Sequence, residues 1–532
     1  MDASGKTTYQ FTLSDQLALV LIVLCYTVYV VHEIVQANGG MFTYTLDDVY
    51  IHLAVGEGIL SGTYGINAGE FSAPSSSILW PFLLAPFASS EVYYLVPLAI
   101  NIVCACLSIV VIYRTFIVAF RIPGDPAPSV ERPAAFILAA MIALAANMLG
   151  IIFTGMEHSL QILFECLIFY GLVLHLRTGD KGRMLVYIPA ILLPLTRYEG
   201  LALSCAVLLV MFIVDSRKRA MLSFAAMIGL VVGFSLFLYA NSGWFLPASV
   251  MFKSAFERSP FEFNELIEIV FEVLRGTSTI PLKYTFIVIV PGLVYAAFVR
   301  KDRFQIVMGW LVASVVLAHF LAFGDINERY MISLYVIALI GTALFFIEGI
   351  HSLFRRNILL GGVLVIIVIC GVYIGNYFFQ KKIPHSAANI YQQHYTMHRF
   401  VTEYYRHPVA VNDIGYVSFR NPQYVLDLKG LGNYSVLGMK EPVTAQAMDS
   451  LVHAHDVELV MIYEDWFYNI PDWWIEAGQF QLLERNITAA NDTVMIYAVD
   501  STSLSSIQRS LRALRDDLTD PRLVYIPSDP AE

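Results

Sequence analysis

Thr43-Tyr-Thr-Leu-Asp-Asp-Val-Tyr-Ile-His52 follows the first long apolar stretch of a 532-residue chain almost directly, and it carries two adjacent carboxylates, Asp47 and Asp48. It opens a Gly/Ser-rich loop, residues 40–91, before the next apolar run begins. Adjacent residues of a helix do not face the same way, so the two carboxylates have separate tasks. Thr45-x-x-Asp48 has the spacing of a capping box that opens a helix through about Leu60, which gives Asp48 a structural duty. Asp47 has none. A carboxylate beside apolar walls has its pKa raised and suits the work of a general base. Asp47 is therefore the first catalytic candidate and Asp48 the second. His52 lies four residues after Asp48, on the same helical face. It is placed to orient the carboxylate, to complete a metal site, or to serve as an ordinary surface histidine.

Working outward, the composition says what holds this loop. The chain is 57% hydrophobic and only 14% charged, where a soluble domain carries about 25% charged residues. Apolar runs near 20 residues recur, each matched to a bilayer core of roughly 30 Å, and no alternating ten-residue strands of a barrel are visible. The fold class is a polytopic α-helical membrane protein. Eleven spans are expected, near residues 16–36, 92–118, 133–153, 157–176, 184–199, 201–215, 220–240, 283–299, 305–323, 329–349 and 358–378. Ile78–Ala88 is too short to cross and reads as a surface or re-entrant helix within the first loop. The run Leu17–Val35 lacks a basic leader and reads as a retained span rather than a signal peptide. A net charge of −10 without a basic stripe excludes a nucleic-acid partner. All six cysteines fall within apolar runs, against both a disulfide framework and a thiolate zinc site.

Orientation follows from the short connections. Arg114, Arg121, Arg132, Arg177, Lys181, Arg183, Arg217, Lys218, Arg219, Arg300, Lys301, Arg303, Arg355 and Arg356 all fall in alternate loops, which the positive-inside rule assigns to the cytoplasm. The N-terminus is then cytoplasmic, and an odd span count sends the C-terminal part outside. From about residue 380 the long apolar runs stop. Pro408–Asp413, Tyr424–Asp427, Val457–Tyr463 and Thr493–Val499 read as buried strands, with helices near Tyr391–Arg406, Val443–Ala454 and Ser505–Leu518. The expected division is a transmembrane module, 1–379, and an extracytoplasmic α/β domain, 380–532. Asn433, Asn486 and Asn491 sit in Asn-x-Ser/Thr sequences there, which matter only in a eukaryotic secretory setting. The absence of disulfides favours a bacterial inner membrane.

The remaining polar candidates share the outer face. Glu157 and His158 stand where only a tight turn between spans is needed, and their alternative reading is a solvated pair at the membrane edge. Arg197 and Glu199 lie between two short spans, as substrate contacts or as an interhelical ion pair. Asp325, Glu328 and Arg329 make the densest charged cluster of the outer loops. A guanidinium at a membrane surface suits a lipid-linked phosphate, and Lys253 is a further cation of that kind. There is no Walker loop, GxSxG or HExxH sequence. Only Glu165 lies well inside a span, too few charges for an ion path, and its plain reading is a hydrogen bond between helices.

Several segments together resemble the multi-spanning C-type glycosyltransferases that use polyprenyl-phosphate sugars, closest to the branch containing the arabinofuranosyltransferases of actinobacterial cell walls. They are Leu46-Asp-Asp-Val-Tyr-Ile-His52, Gly65-Ile-Asn-Ala-Gly69, Ser77-Ile-Leu-Trp80, Thr154-Gly-Met-Glu157, Arg197-Tyr-Glu-Gly200, Phe245–Lys253, Gly324–Arg329, Asn412-Asp-Ile-Gly-Tyr416 and Asp427–Gly432. The chain departs from the family at Arg197-Tyr198-Glu199, where Arg-Pro-Glu is common, and at Ser76–Trp80. The resemblance implies an inverting transferase with Asp47 as base, and an acceptor that is a glycan or cell-envelope polymer. Arg329, Arg197 and Lys253 would answer the leaving phosphate. Some members of that family use a divalent cation at acidic residues, for which Asp48, Glu157 and Asp325 are the candidates; no other cofactor is implied. Two other classes compete: a flippase for lipid-linked sugars, which needs a polar path across the membrane, and a non-catalytic anchor, which leaves Asp47 without a task.

Overall fold

The computed structural model describes residues 11–121, 130–179, 181–253, 280–323, 328–368, 382–439 and 443–528. All eleven expected stretches hold helix there, but their lengths divide. Leu13–Ala37, Tyr93–Phe120, His158–Thr178, Arg217–Ser242, Leu282–Arg300 and Arg303–Leu321 are long and apolar enough to cross a membrane, and Met331–Phe345 with Ile347–Arg356, bent by 68°, makes a seventh if taken as one. Glu131–Ala145, Arg183–Thr196 and Gly200–Val214 have 15 residues or fewer, a rise of about 22 Å against a core of roughly 30 Å. Spanning length is thus reached by six or seven helices among the described residues. Several of them turn apolar side chains outward: Leu17, Leu21 and Val28 on the first, Met221, Leu222 and Phe224 on Arg217–Ser242. Apolar faces of that extent suit lipid rather than water.

The Ile78–Ala88 segment forms a helix over Leu79–Leu84 and a 3₁₀ turn over Ala85–Phe87, with Phe82, Pro86 and Phe87 exposed on one side and the other side packed inward. Trp80 and Leu84 are fully buried, and the Trp80 indole N–H donates to the Gly155 carbonyl at 3.2 Å. The pairing satisfies the indole where water is absent and ties the first loop to the start of the His158–Thr178 helix. Glu165 takes its plain reading: it is buried, and the Ser333 hydroxyl donates to it across two helices at 2.5 Å.

The C-terminal part is built on a six-stranded sheet in the order β2-β1-β3-β5-β4-β6. β1 (Val409–Val411), β2 (Val425–Asp427) and β3 (Leu459–Ile462) are parallel; β4 (Ile475–Leu482), β5 (Thr493–Ala498) and β6 (Leu523–Pro527) extend the sheet antiparallel. Val409 and Val411 face the Ser501–Asp517 helix side, while Ala410 packs with Met448, Leu451 and Val452 of the Ala445–Ala454 helix. Burial on both faces explains why β1 to β3 read as continuous apolar runs. The four expected strands are present. β4 and β6 escaped, β4 because it is broken by a bulge between Glu476 and Gly478 and mixes polar residues into its pattern. The expected helix at Tyr391–Arg406 begins earlier: it opens at Ile383–Asn389 and continues through π-turns at Ile390–Tyr395 and Phe400–Tyr405.

The sheet and the first loop interlock. Asn67 donates to the Val425 carbonyl and accepts from the Val425 N–H, both at 2.9 Å, so its amide acts as one more rung on the outer edge of β2. Glu70 accepts from Asn433 at 3.0 Å, and the Thr43 hydroxyl donates to the Ala387 carbonyl at 2.9 Å. Tyr50 of the first loop stacks on Tyr416, ring centroids 3.8 Å apart. Tyr416, Phe419 and Ile383 belong to the same buried core as Trp80 and the apolar helices. Replacing Asn67 by Ala leaves both Val425 groups without their partners, at a cost of about 1–3 kcal/mol. A lowered thermal midpoint of the purified protein, with faster hydrogen exchange in both the 43–90 loop and β2, is the expected outcome.

Candidate active site

The helix expected after Asp48 is present, Asp48–Leu60, but the capping box is not. Asp47 holds the N-cap position without a side-chain cap bond, and Asp48 is the first helical residue rather than the third. Thr45 turns elsewhere: its N–H and hydroxyl both reach the Phe153 carbonyl, at 3.0 and 3.3 Å. Asp47 is thereby released from capping. It is 8% exposed, its Oδ1 accepts from the Tyr416 N–H at 2.8 Å, and its Oδ2 has no hydrogen-bond partner.

Two groups from the C-terminal part complete the arrangement. His394, from the π-turn of the long helix, sets Nδ1 3.3 Å from Asp47 Oδ1 and 3.9 Å from Asp413 Oδ2. Asp413 follows β1, the strand between β2 and β3, whose carboxyl end is where the sheet's connections diverge. Open parallel sheets keep their polar sites there. Burial alone lowers an imidazole, yet Asp47 and then Asp413 outweigh it and hold His394 up at about 9. Burial and the Asp47 charge push Asp413 well above the usual carboxylate range. The Asp48 charge acts on both groups as well. Two carboxylates and an imidazole this close exchange protons as one set. π-Turns are disproportionately found at functional sites, and this one aims His394 inward.

A second network lies beside it. Glu157 is fully buried at the start of the His158–Thr178 helix, and Arg197 meets it at 2.7 Å while also holding Glu199 at 2.9 Å. His52 places Nε2 3.4 Å from Glu157 Oε2, and its Nδ1 is 2.9 Å from the Ser75 hydroxyl. Ser75 donates its own proton to the Ser77 carbonyl, so it accepts from Nδ1–H. Burial raises the Glu157 carboxyl, but Arg197, His52 and His158 prevail and hold it at about 2. Glu199 is lowered against its burial chiefly by Arg197.

The sequence candidates therefore part company. Asp47 and Asp48 stand at one cluster; His52, Glu157, His158, Arg197 and Glu199 belong to the other, where His52 meets Ser75 and Glu157. Arg197 is buried between two carboxylates that answer its charge within the protein. The Glu328–Phe345 helix starts with Glu328 and Arg329, and Ala248–Lys253 ends on Lys253; those side chains, and all of Asp325, lie outside the described residues. Sequence reading missed His394, Asp413, Gly415 and Tyr416 as site residues. A signal existed in Asn412-Asp-Ile-Gly-Tyr416, an acid and a glycine directly after a buried strand. Gly415 is required: a methyl there would sit 2.1 Å from Asp47 Oδ2 and 2.3 Å from the Asp47 carbonyl oxygen.

Residues 388–497 match the model of a family described as Domain of unknown function (DUF8728). The match takes in His394, Asp413 and Tyr416 and excludes Asp47 and the apolar helices. No curated protein matches the chain.

Arg197→Met strands the fully buried Glu157 and the partly exposed Glu199 and should cost about 3–5 kcal/mol in unfolding measurements. Arg197→Lys should recover only part, because a single ammonium replaces a planar fork gripping two partners. Glu157 titrates below its ordinary value, so its stabilisation is full above about pH 4.5 and is lost as pH falls through about 2. Melting between those limits should fall more steeply for wild type than for Glu157→Gln. Gly415→Ala should separate loop from sheet, read as new proteolytic cleavage within residues 40–91.

Proposed function

We propose that this protein transfers a sugar from a polyprenyl-phosphate donor to an extracytoplasmic glycan or cell-envelope acceptor, inverting the anomeric centre, with Asp47 as general base. The observation that carries it is Asp47 itself. A carboxylate directly after the first membrane-length helix is nine-tenths buried, held by one oxygen and without a partner on the other. That is the state of a group kept ready to take a proton. In the reaction the acceptor hydroxyl oxygen forms its bond to the anomeric carbon as the bond to the phosphate oxygen breaks. The phosphate leaves with the electron pair, and the hydroxyl proton passes to Asp47. Apolar helices beside the site suit the lipid tail, and six or seven of spanning length agree with a membrane enzyme. In this reading all eleven helical stretches insert, the basic loops face the cytoplasm, and the sheet lies outside. The leaving phosphate needs cations. Arg329 and Lys253 take that part, since Arg197 is already held by Glu157 and Glu199.

A flippase for lipid-linked sugars is the second reading. One observation favours it: Gln161, Glu165 and Ser333 form a polar network inside the helical bundle. Membranes carrying wild type or Asp47→Asn, supplied with a panel of radiolabelled polyprenyl-phosphate sugars and endogenous acceptor, distinguish the two. Transfer by wild type that drops at least about 100-fold in a folded, inserted variant is expected. Equal transfer by both removes Asp47 from the mechanism. Donor translocation without transfer, abolished by Glu165→Gln, would replace the enzyme with the flippase.

A further inference from the structure

We infer that Asp47, His394 and Asp413 bind a divalent transition-metal ion at the seam between the first loop and the sheet. The three residues each offer one ligand atom, all within 4.8 Å of one another, with His394 Nδ1 at 3.3 and 3.9 Å from the nearest carboxylate oxygens. Around an ion with bonds of about 2.1 Å, neighbouring donors stand about 3.0–3.4 Å apart. The His394–Asp47 separation already has that spacing, and the other donors close to it by side-chain movements of about an ångström.

Hydrogen bonding around the histidine points the same way. The Tyr463 hydroxyl donates to Gln393 Oε1 at 2.7 Å, which turns its lone pairs toward His394 Nε2 at 3.4 Å. Nε2 therefore carries hydrogen, and the opposite nitrogen, Nδ1, faces two carboxylates. A metal-ligating imidazole is fixed in this way, by an outer partner on its second nitrogen. Independently, Asp47 is 8% exposed and its Oδ2 has no hydrogen-bond partner, which leaves a buried carboxylate oxygen available to a ligand. Among the described residues the ion pairs of Asp47 and of Asp413 are both to His394, so no arginine or lysine neutralises the set. The donors are held from three sides: Tyr416 N–H fixes Asp47, the Asn412 side chain accepts from the Tyr463 N–H beside Asp413, and the π-turn carries His394. Asp413 is 24% exposed, an entry for the ion and for a further ligand.

An imidazole among the ligands selects manganese or zinc over calcium and magnesium, which prefer oxygen alone. These ligands differ from the acidic set expected from sequence, in which Glu157 is occupied by Arg197 and His52. The site stands on its own geometry. Its use, binding the acceptor hydroxyl and making it more acidic, rests on the transferase reading.

The test uses the full chain, purified in detergent and stripped with a chelator. Manganese is titrated by the electron-paramagnetic resonance of the free ion, and pulsed measurements report imidazole nitrogen coupling. The expected result is one manganese per chain with nitrogen coupling that disappears in His394→Gln, and binding at least about 10-fold weaker in Asp413→Asn, whose folding is checked by melting. No tight manganese or zinc in wild type, or equal binding in both variants, overturns the site. Binding without sugar transfer would leave the metal site standing and remove the transferase. Transfer that persists in protein binding neither ion would do the reverse.

Discussion

The Asp47 carboxylate lies where two parts of the chain meet with no spare room. One oxygen takes the Tyr416 N–H, and the backbone at residue 415 passes so near the other that only glycine fits. Every other contact across the seam depends on this approach. Tyr50 can stack on Tyr416, Asn67 can pair with Val425, and His394 can reach Asp47 only if the sheet's edge sits this close to the loop. A buried carboxylate is expensive. The neighbours that offset it also decide which chemistry it can do.

Two charge clusters result, and they differ in kind. Around Arg197 a planar cation is gripped by two carboxylates, with His52 and Ser75 completing the hydrogen bonds. That network holds the short Arg183–Thr196 and Gly200–Val214 helices against the start of His158–Thr178, with the guanidinium gripped by a carboxylate on each side. Around Asp47 the balance is acidic, with one imidazole between two carboxylates and an oxygen left over. The two clusters differ in their cation, a guanidinium gripped by Glu157 and Glu199 in one and an imidazole facing Asp47 and Asp413 in the other.

Much of the fold was legible in residue order. Apolar runs near 20 residues announced helices long and apolar enough to cross a membrane, and continuous Val/Ile/Leu runs announced the central strands, because burial on both faces leaves no polar alternation. The count of spans was less secure. Helices such as Gly200–Val214 are apolar throughout but too short to cross straight, and hydropathy cannot separate a short buried helix from a span. β4 was hidden by the bulge at Gly478, and the capping box at Thr45 failed because Phe153, more than a hundred residues away, claimed the threonine.

By itself the sequence determined the long apolar helices, the α/β character of the C-terminal part and four of its strands, and it singled out Asp47 as a candidate. Each follows from periodicity or from spacing along a few neighbouring residues. What only the tertiary structure decided is the company Asp47 keeps. His394 and Asp413 lie about 350 residues away along the chain, and no local pattern encodes which distant side chain will fill a buried neighbourhood. Packing of the loop against the carboxyl end of β1 decides it, through close approach at one glycine and the need to answer buried charge.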